Sequence, residues 1–110
     1  MKLKISYRHM DASPALGEYI KSITSSLGKY FQSRVDIHVK IGVEGGKFFC
    51  DITAHTNDHH FYHSHDKELT AHKAVSFALK KIEKQIKKEA RKKVRGHIDI
   101  KDYNYSSESA

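Results

Sequence analysis

The hydropathy pattern of the chain predicts an α+β fold of order β-α-β-β-β-α, a four-stranded mixed sheet with two helices packed on one face. Three observations carry this. Apolar residues recur at three- and four-residue steps in two stretches, near residues 14–31 and 70–95. They alternate with polar residues at period two in three others, with a shorter fourth stretch near Phe61 to His65, and Gly45-Gly46 stands between two of the alternating stretches.

Leu3, Ile5 and Tyr7 alternate with Lys2, Lys4, Ser6 and Arg8, the signature of a first strand with one buried face. Ser13-Pro14 then supplies a capping hydroxyl followed by proline at the first helical position, where its missing N–H costs nothing. Leu16, Ile20, Ile23, Leu27 and Phe31 form the apolar stripe of this first helix. Gly17 and Gly28 weaken it by roughly 1 kcal/mol each relative to Ala, so packing must hold it. From Arg34 the pattern switches to Val35, Ile37, Val39, Ile41 and Val43 in alternation with Asp36, His38 and Lys40, a second strand. Gly45-Gly46 turns the chain into a third, in which Phe48, Cys50, Ile52 and Ala54 face inward. Asn57-Asp58 marks another turn before the fourth strand, whose register stays open: either Phe61 and His63 or Tyr62 and Ser64 face the core. Asp66-Lys67-Glu68-Leu69 leads to Thr70, the expected cap of the second helix, and Gly96 is its expected stop. A strand–helix–strand crossover makes strands 1 and 2 parallel, and the two tight turns make strands 2, 3 and 4 an antiparallel meander. Residues 1–96 are expected to form a single domain and residues 97–110 a short, partly disordered extension.

The second helix has two unlike faces. Ala71, Ala74, Val75, Ala78, Leu79, Ile82 and Ile86 gather into one apolar stripe, which wants a sheet to lie on. Lys73, Lys80, Lys84, Lys87, Lys88 and Arg91 gather on the far side, with Lys81 and Lys92 at the margin. Lys73 to Arg91 spans about 27 Å at 1.5 Å per residue. A solvated helix face ordinarily mixes signs so that Glu and Lys pair along it, yet only Glu83 and Glu89 stand against this run. Such crowding of like charge gains an isolated protein nothing, and a polyanion-binding face is the reading we prefer to a merely solubilising one.

Composition points the same way. Lys and Arg total 20 against 13 Asp and Glu, a formal charge of +7. The single cysteine, Cys50, lies in an apolar strand-like run where a buried, inert thiol in a reducing compartment is expected. The N-terminus has no apolar run of signal-peptide length, and the apolar face of the second helix lacks Trp and suits a folded core better than a membrane surface. The expectation is a cytoplasmic protein, monomeric when free, with no membrane partner and no small-molecule substrate. No phosphate-cradling loop, zinc-protease motif or nucleophile elbow is present, so neither catalysis nor a cofactor is expected.

His55, His59, His60, His63 and His65 crowd into strands 3 and 4, with His72 nearby. Zinc or nickel accepts imidazoles so grouped, but structural sites complement a fixed short-spaced pair with a distant pair, and His63 and His65 alternate with Ser64 as residues on one strand face do. Solvated or RNA-facing side chains are the reading taken, with a pH-sensitive charge and a metal site as alternatives. Phe49 falls on the open sheet face, where base stacking is conceivable, but the aromatic-and-glycine signature of sheet-stacking RNA domains is missing.

Ala12-Ser13-Pro14-Ala15-Leu16-Gly17-Glu18-Tyr19-Ile20 resembles the start of the first helix in the ribosome hibernation-promoting factor and ribosome-associated inhibitor A family, also called the sigma-54 modulation protein family. Lys29-Tyr30-Phe31 resembles that helix's end, and Lys81-Ile82-Glu83-Lys84-Gln85-Ile86-Lys87-Lys88 resembles the family's Lys-Leu-x-x-Gln-Leu-x-Lys. The likeness covers about residues 1–95. It departs at Thr70-Ala71-His72-Lys73-Ala74-Val75-Ser76, where members have Asp-x-Tyr-Ala-Ala-Ile-Asp, so both acids and the tyrosine are replaced. The resemblance implies a short-form, non-enzymatic factor that occupies the decoding region of the small ribosomal subunit and silences idle ribosomes in stress or stationary phase. It makes Lys81, Lys84 and Lys88 the matched basic residues, with Lys92 beside them. Lys73, Lys80, Lys87 and Arg91 would then neutralise ribosomal RNA phosphates along the same face, and Lys21 and Lys29 of the first helix would extend it. A general RNA-binding or chaperone-like module is the alternative, and a metal- or pH-responsive histidine-rich protein the third.

Overall fold

The computed structural model of the chain describes residues 1–31, 34–57 and 59–96, the stretch 91–96 by its backbone alone. Its elements are β1 (Lys2–Arg8), α1 (Pro14–Thr24), a 3-10 segment (Ser25–Tyr30), β2 (Val35–Glu44), β3 (Lys47–Thr56), β4 (Phe61–Glu68) and α2 (Ala71–Gly96). The expected extension at 97–110 lies outside the described residues.

The strands lie in the order β1-β2-β3-β4, with β1 parallel to β2 and both hairpins antiparallel. Both glycines of the β2–β3 turn have positive φ, +59° at Gly45 and +78° at Gly46, which matches the right-handed twist of the two strands. Val35, Ile37, Val39 and Ile41 of β2 and Cys50, Ile52 and Ala54 of β3 point to one face, where they meet Leu16, Ile20 and Leu27 from one side and Ala74, Val75, Ala78, Ile82 and Ile86 from the other. Both helices therefore cover the same face. Fully burying a large aliphatic side chain stabilises by about 1.5–3 kcal/mol, so Ile20 and Leu27 together outweigh the two helix glycines.

Ser13 Oγ accepts a hydrogen bond from Leu16 N at 3.2 Å with Pro14 at the first helical position, as local chemistry predicts. The first helix departs from expectation further on. The α-helix stops at Thr24 and tightens into the 3-10 segment, so the stripe that reaches Phe31 is shared between two geometries. Three hydroxyls turn back onto carbonyls at this point: Thr24 Oγ1 to Ile20 O at 2.7 Å, Ser25 Oγ to Ser22 O at 2.8 Å and Ser26 Oγ to Ile23 O at 2.9 Å. Such back-bonding competes with the α-helical ladder, and the tighter turn still delivers Leu27 to the core.

The open register of β4 resolves in favour of Ser64, which is buried and donates from Oγ to Ala78 O at 2.7 Å, while Phe61 and His63 face outward. β4 also runs beyond His65, through the stretch read as a lead into the helix. Asp66, Lys67 and Glu68 pair opposite Cys50, Phe49 and Phe48. A charged run extends an edge strand here because its inward acid is neutralised by α2 and Lys67 reaches Glu44 at 3.5 Å. Thr70 caps α2, its Oγ1 accepting from Lys73 N at 3.2 Å.

Candidate nucleic-acid interface

The apolar stripe of α2 lies on the sheet and α1 packs along one flank, so the side opposite the sheet faces solvent. Lys73, Lys80, Lys84 and Lys87 are exposed there and Lys88 is half-buried. Lys87 approaches Glu83 at 4.0 Å one turn back, whereas Lys73, Lys80, Lys84 and Lys88 have no carboxylate partner among the described residues. Arg91 and Lys92 belong to the same helix, but their side chains lie outside the described residues. The sequence reading missed Phe77, which is 38% exposed among these lysines and has the Lys80 ammonium 5.6 Å from its ring centroid. Its phase, off the apolar stripe by about one residue's rotation, was the available signal.

Lys81 stands apart from its neighbours. It donates to His65 O at 2.9 Å and to Asp66 Oδ1 at 3.1 Å, and one turn on Gln85 donates to His63 O at 2.7 Å. These two side chains clasp the helix to the backbone of edge strand β4, where a bare strand edge would otherwise invite pairing with another chain. Asp66 explains the choice of a cation. Its side chain is only 14% exposed and its Oδ2 is buried without a hydrogen-bond partner among the described residues, so Lys81 is its compensating charge.

Lys21 lies on α1 and Lys29 on the 3-10 segment, both of which pack against α2. α1 packs on α2 through Tyr19 and His72, whose rings lie 4.8 Å apart, on the flank of α2 away from Lys81. Lys21 pairs with Glu18 at 3.7 Å, and Lys29 lies 5.3 Å from the Tyr30 ring centroid.

On the opposite side, the sheet face without helices carries its own charges. Asp51 holds two histidines of β4, His65 through Nδ1 at 2.6 Å and His63 through Nε2 at 3.5 Å. His38 bonds Ser6 Oγ through Nε2 at 2.8 Å, and partial burial followed by the charges of Lys4 and Lys40 holds its pKa below the usual imidazole value. Phe49 lies on this face as expected but is 9% exposed, seated against Gly42 with the His65 ring nearly parallel 6.4 Å away, so its faces are covered. Among the described residues no three His, Cys, Asp or Glu side chains converge as metal ligands. Cys50 is fully buried, and burial followed by Asp51 and Asp66 pushes its thiol up to about 12, far from a reactive thiolate. No described helix is long and apolar enough to cross a membrane.

Residues 3–94 match the model of the family described as Sigma 54 modulation protein / S30EA ribosomal protein. Among solved structures, the N-terminal domain of Thermus thermophilus Protein Y is similar at 18% identity, covering 79% of this chain and 97% of that one with a TM-score of 0.73. A ribosomal subunit interface protein from Coxiella burnetii is similar at 19% identity, covering 81% of this chain and 97% of that one with a TM-score of 0.70. At these identities the likeness shows a shared fold. No curated protein sequence matches the chain significantly.

Proposed function

The chain belongs to the Sigma 54 modulation protein / S30EA ribosomal protein family, and on that premise we propose that it binds the small ribosomal subunit at the decoding region and inhibits translation in stress or stationary phase. The observation that carries the reading is the lysine row on α2, in which Lys73, Lys80, Lys84 and Lys88 have no carboxylate partner among the described residues and Lys87 alone meets Glu83. Lys73, Lys80, Lys84, Lys87, Lys88 and Arg91 neutralise ribosomal RNA phosphates along one rigid rod. Lys92 and Lys81 border the row, and Lys21 of α1 and Lys29 of the 3-10 segment add charge beside it. Phosphate contact positions the domain without reading sequence, and the shape of the RNA cleft supplies specificity. The protein acts by occupying space, as a cytoplasmic monomer without catalysis.

Sedimentation with purified small subunits through sucrose gradients tests this. The parent protein travels with the subunit, and Lys84→Ala, Lys87→Ala and Lys88→Ala combined release it; Lys81 is left intact because it has a structural duty. Neutralising six phosphates gives a log–log dependence of affinity on salt of about −4 to −5. A slope near zero overturns the mechanism. Equal displacement by bulk competitor RNA would instead favour a general RNA-binding module using the same helix.

A further inference from the structure

The sheet face opposite the helices is also built for nucleic acid. Among the described residues its three carboxylates are each engaged within the protein: Asp36 with Arg34 at 3.9 Å, Glu44 with Lys67 at 3.5 Å, and Asp51 with His63 and His65. The cations Lys2, Lys4 and Lys40 of the same face have no carboxylate partner among the described residues. Surplus positive charge is therefore concentrated over β1 and β2. His38 lies directly across from Lys4 and two residues from Lys40, and burial first and then the charges of these two lysines disfavour its protonation.

Beside these cations the surface dips. A depression of about 310 Å³ is lined by Lys2, Lys4, Asp36, His38, Thr53 and His55. At its β4 side the cross-strand register sets Phe61 opposite His55, with ring centroids 6.5 Å apart. Phe61 is 64% exposed, an unusual state for a phenylalanine on a strand, and unlike Phe49 it leaves an aromatic surface open to solvent. Leftover cations, a depression and an exposed aromatic on one sheet form the arrangement with which proteins hold single-stranded nucleic acid, through backbone charge and base stacking.

We propose that the open sheet face is a second RNA-binding surface, taking a single-stranded RNA segment whose phosphates lie along Lys2, Lys4 and Lys40 and whose base stacks on Phe61 beside His55. It lies on the far side of the domain from the lysines of α2, so the protein can hold two RNA segments at once. The surface does not depend on the ribosomal reading, because unstructured RNA alone suffices to detect it.

The test uses the full chain, isotope-labelled for amide NMR, titrated with a decauridylate. Shifts are expected over β1 to β4 around Lys4, His38, His55 and Phe61. In a parallel fluorescence titration, Phe61→Ala weakens binding about 10-fold, within the range for removing one base–aromatic stack. Lys4→Glu with Lys40→Glu weakens it by more than that, and in Lys84→Ala/Lys87→Ala/Lys88→Ala the decauridylate shifts around Lys4, His38, His55 and Phe61 persist. Thermal melts check that each variant is folded, and the parent's NMR map needs no variant. Shifts confined to α2, unchanged affinity in either sheet variant, loss of the sheet shifts in the helix variant, or displacement by polyglutamate at equal charge, the mark of a surface for acidic protein, each overturn the proposal.

Discussion

Lys81 shows how a residue of one chemical type takes a different task from its neighbours. By charge and phase it belongs with Lys84 and Lys88, and the motif it shares with the family groups the three. Its bonds to His65 O and Asp66 Oδ1 make it the counter-charge of a largely buried carboxylate as well. Removing one partner of a buried polar pair costs about 1–3 kcal/mol, and because the Lys81 side chain is 54% exposed the lower end applies. Lys81→Ala should therefore lower stability by about 1 kcal/mol in urea denaturation, while Lys84→Ala stays within about 0.5 kcal/mol of the parent, as surface changes usually do. Indistinguishable midpoints for the two variants would remove the structural role. Asp66 was invisible as its partner in sequence because the pairing spans fifteen residues and two elements.

Among the elements, β2 carries the most specific packing requirement. Gly42 continues the outward face of its strand, between Arg8 on β1 and Phe49 on β3. A Cβ added there would lie 2.5 Å from the Arg8 carbonyl oxygen and 2.8 Å from Phe49 Cε2. The first of these is backbone and cannot swing aside. Gly42→Ala should destabilise by about 1–3 kcal/mol through overpacking, read as a drop in thermal midpoint, whereas Gly45→Ala meets no neighbour and is strained only by its positive φ. The alternation of β2 was plain in sequence, and the need for glycine at this position was not. The helix ends divide in the same way. The cap at Ser13-Pro14 uses residues adjacent in the chain and was legible, while the change to 3-10 geometry after Thr24 turns on hydroxyl orientations that periodicity does not report.

At the scale of the whole molecule, lysines without a carboxylate partner among the described residues stand on two opposed faces, Lys73, Lys80, Lys84 and Lys88 on the outer side of α2 and Lys2, Lys4 and Lys40 on the open side of the sheet. His38 reports the field of the second. Around it stand Lys4 and Ser6 from β1, Lys40 from its own strand, and Thr53 from β3, with Asp51 and His55 diagonal to it. Its pKa is lowered below 6.5 by burial first and then by Lys4 and Lys40. The unfolded chain therefore binds more protons at this site just below that value, so stability rises with pH through the window and is lost as the pH falls below about 6.5. Comparing urea midpoints at pH 7.5 and pH 5, His38→Gln should lose less stability than the parent. An equal loss in both would show that His38 does not sense this field.

Element order, the sheet-facing stripe of α2 and its lysine row were all readable along the chain, because each depends on periodicity within a single segment and on hydrophobic burial acting at that period. Long-range pairing settled what no segment could settle alone. The β3–β4 register turned Ser64 inward and Phe61 outward. The close approach at Gly42 let Phe49 lie covered, leaving Phe61 as the exposed ring of the open face. Docking of α2 on β4 committed Lys81 to Asp66 and left Lys84 and Lys88 unpaired among the described residues. A lysine's phase can be counted from sequence, but whether it meets a carboxylate depends on which strand edge its helix comes to rest against.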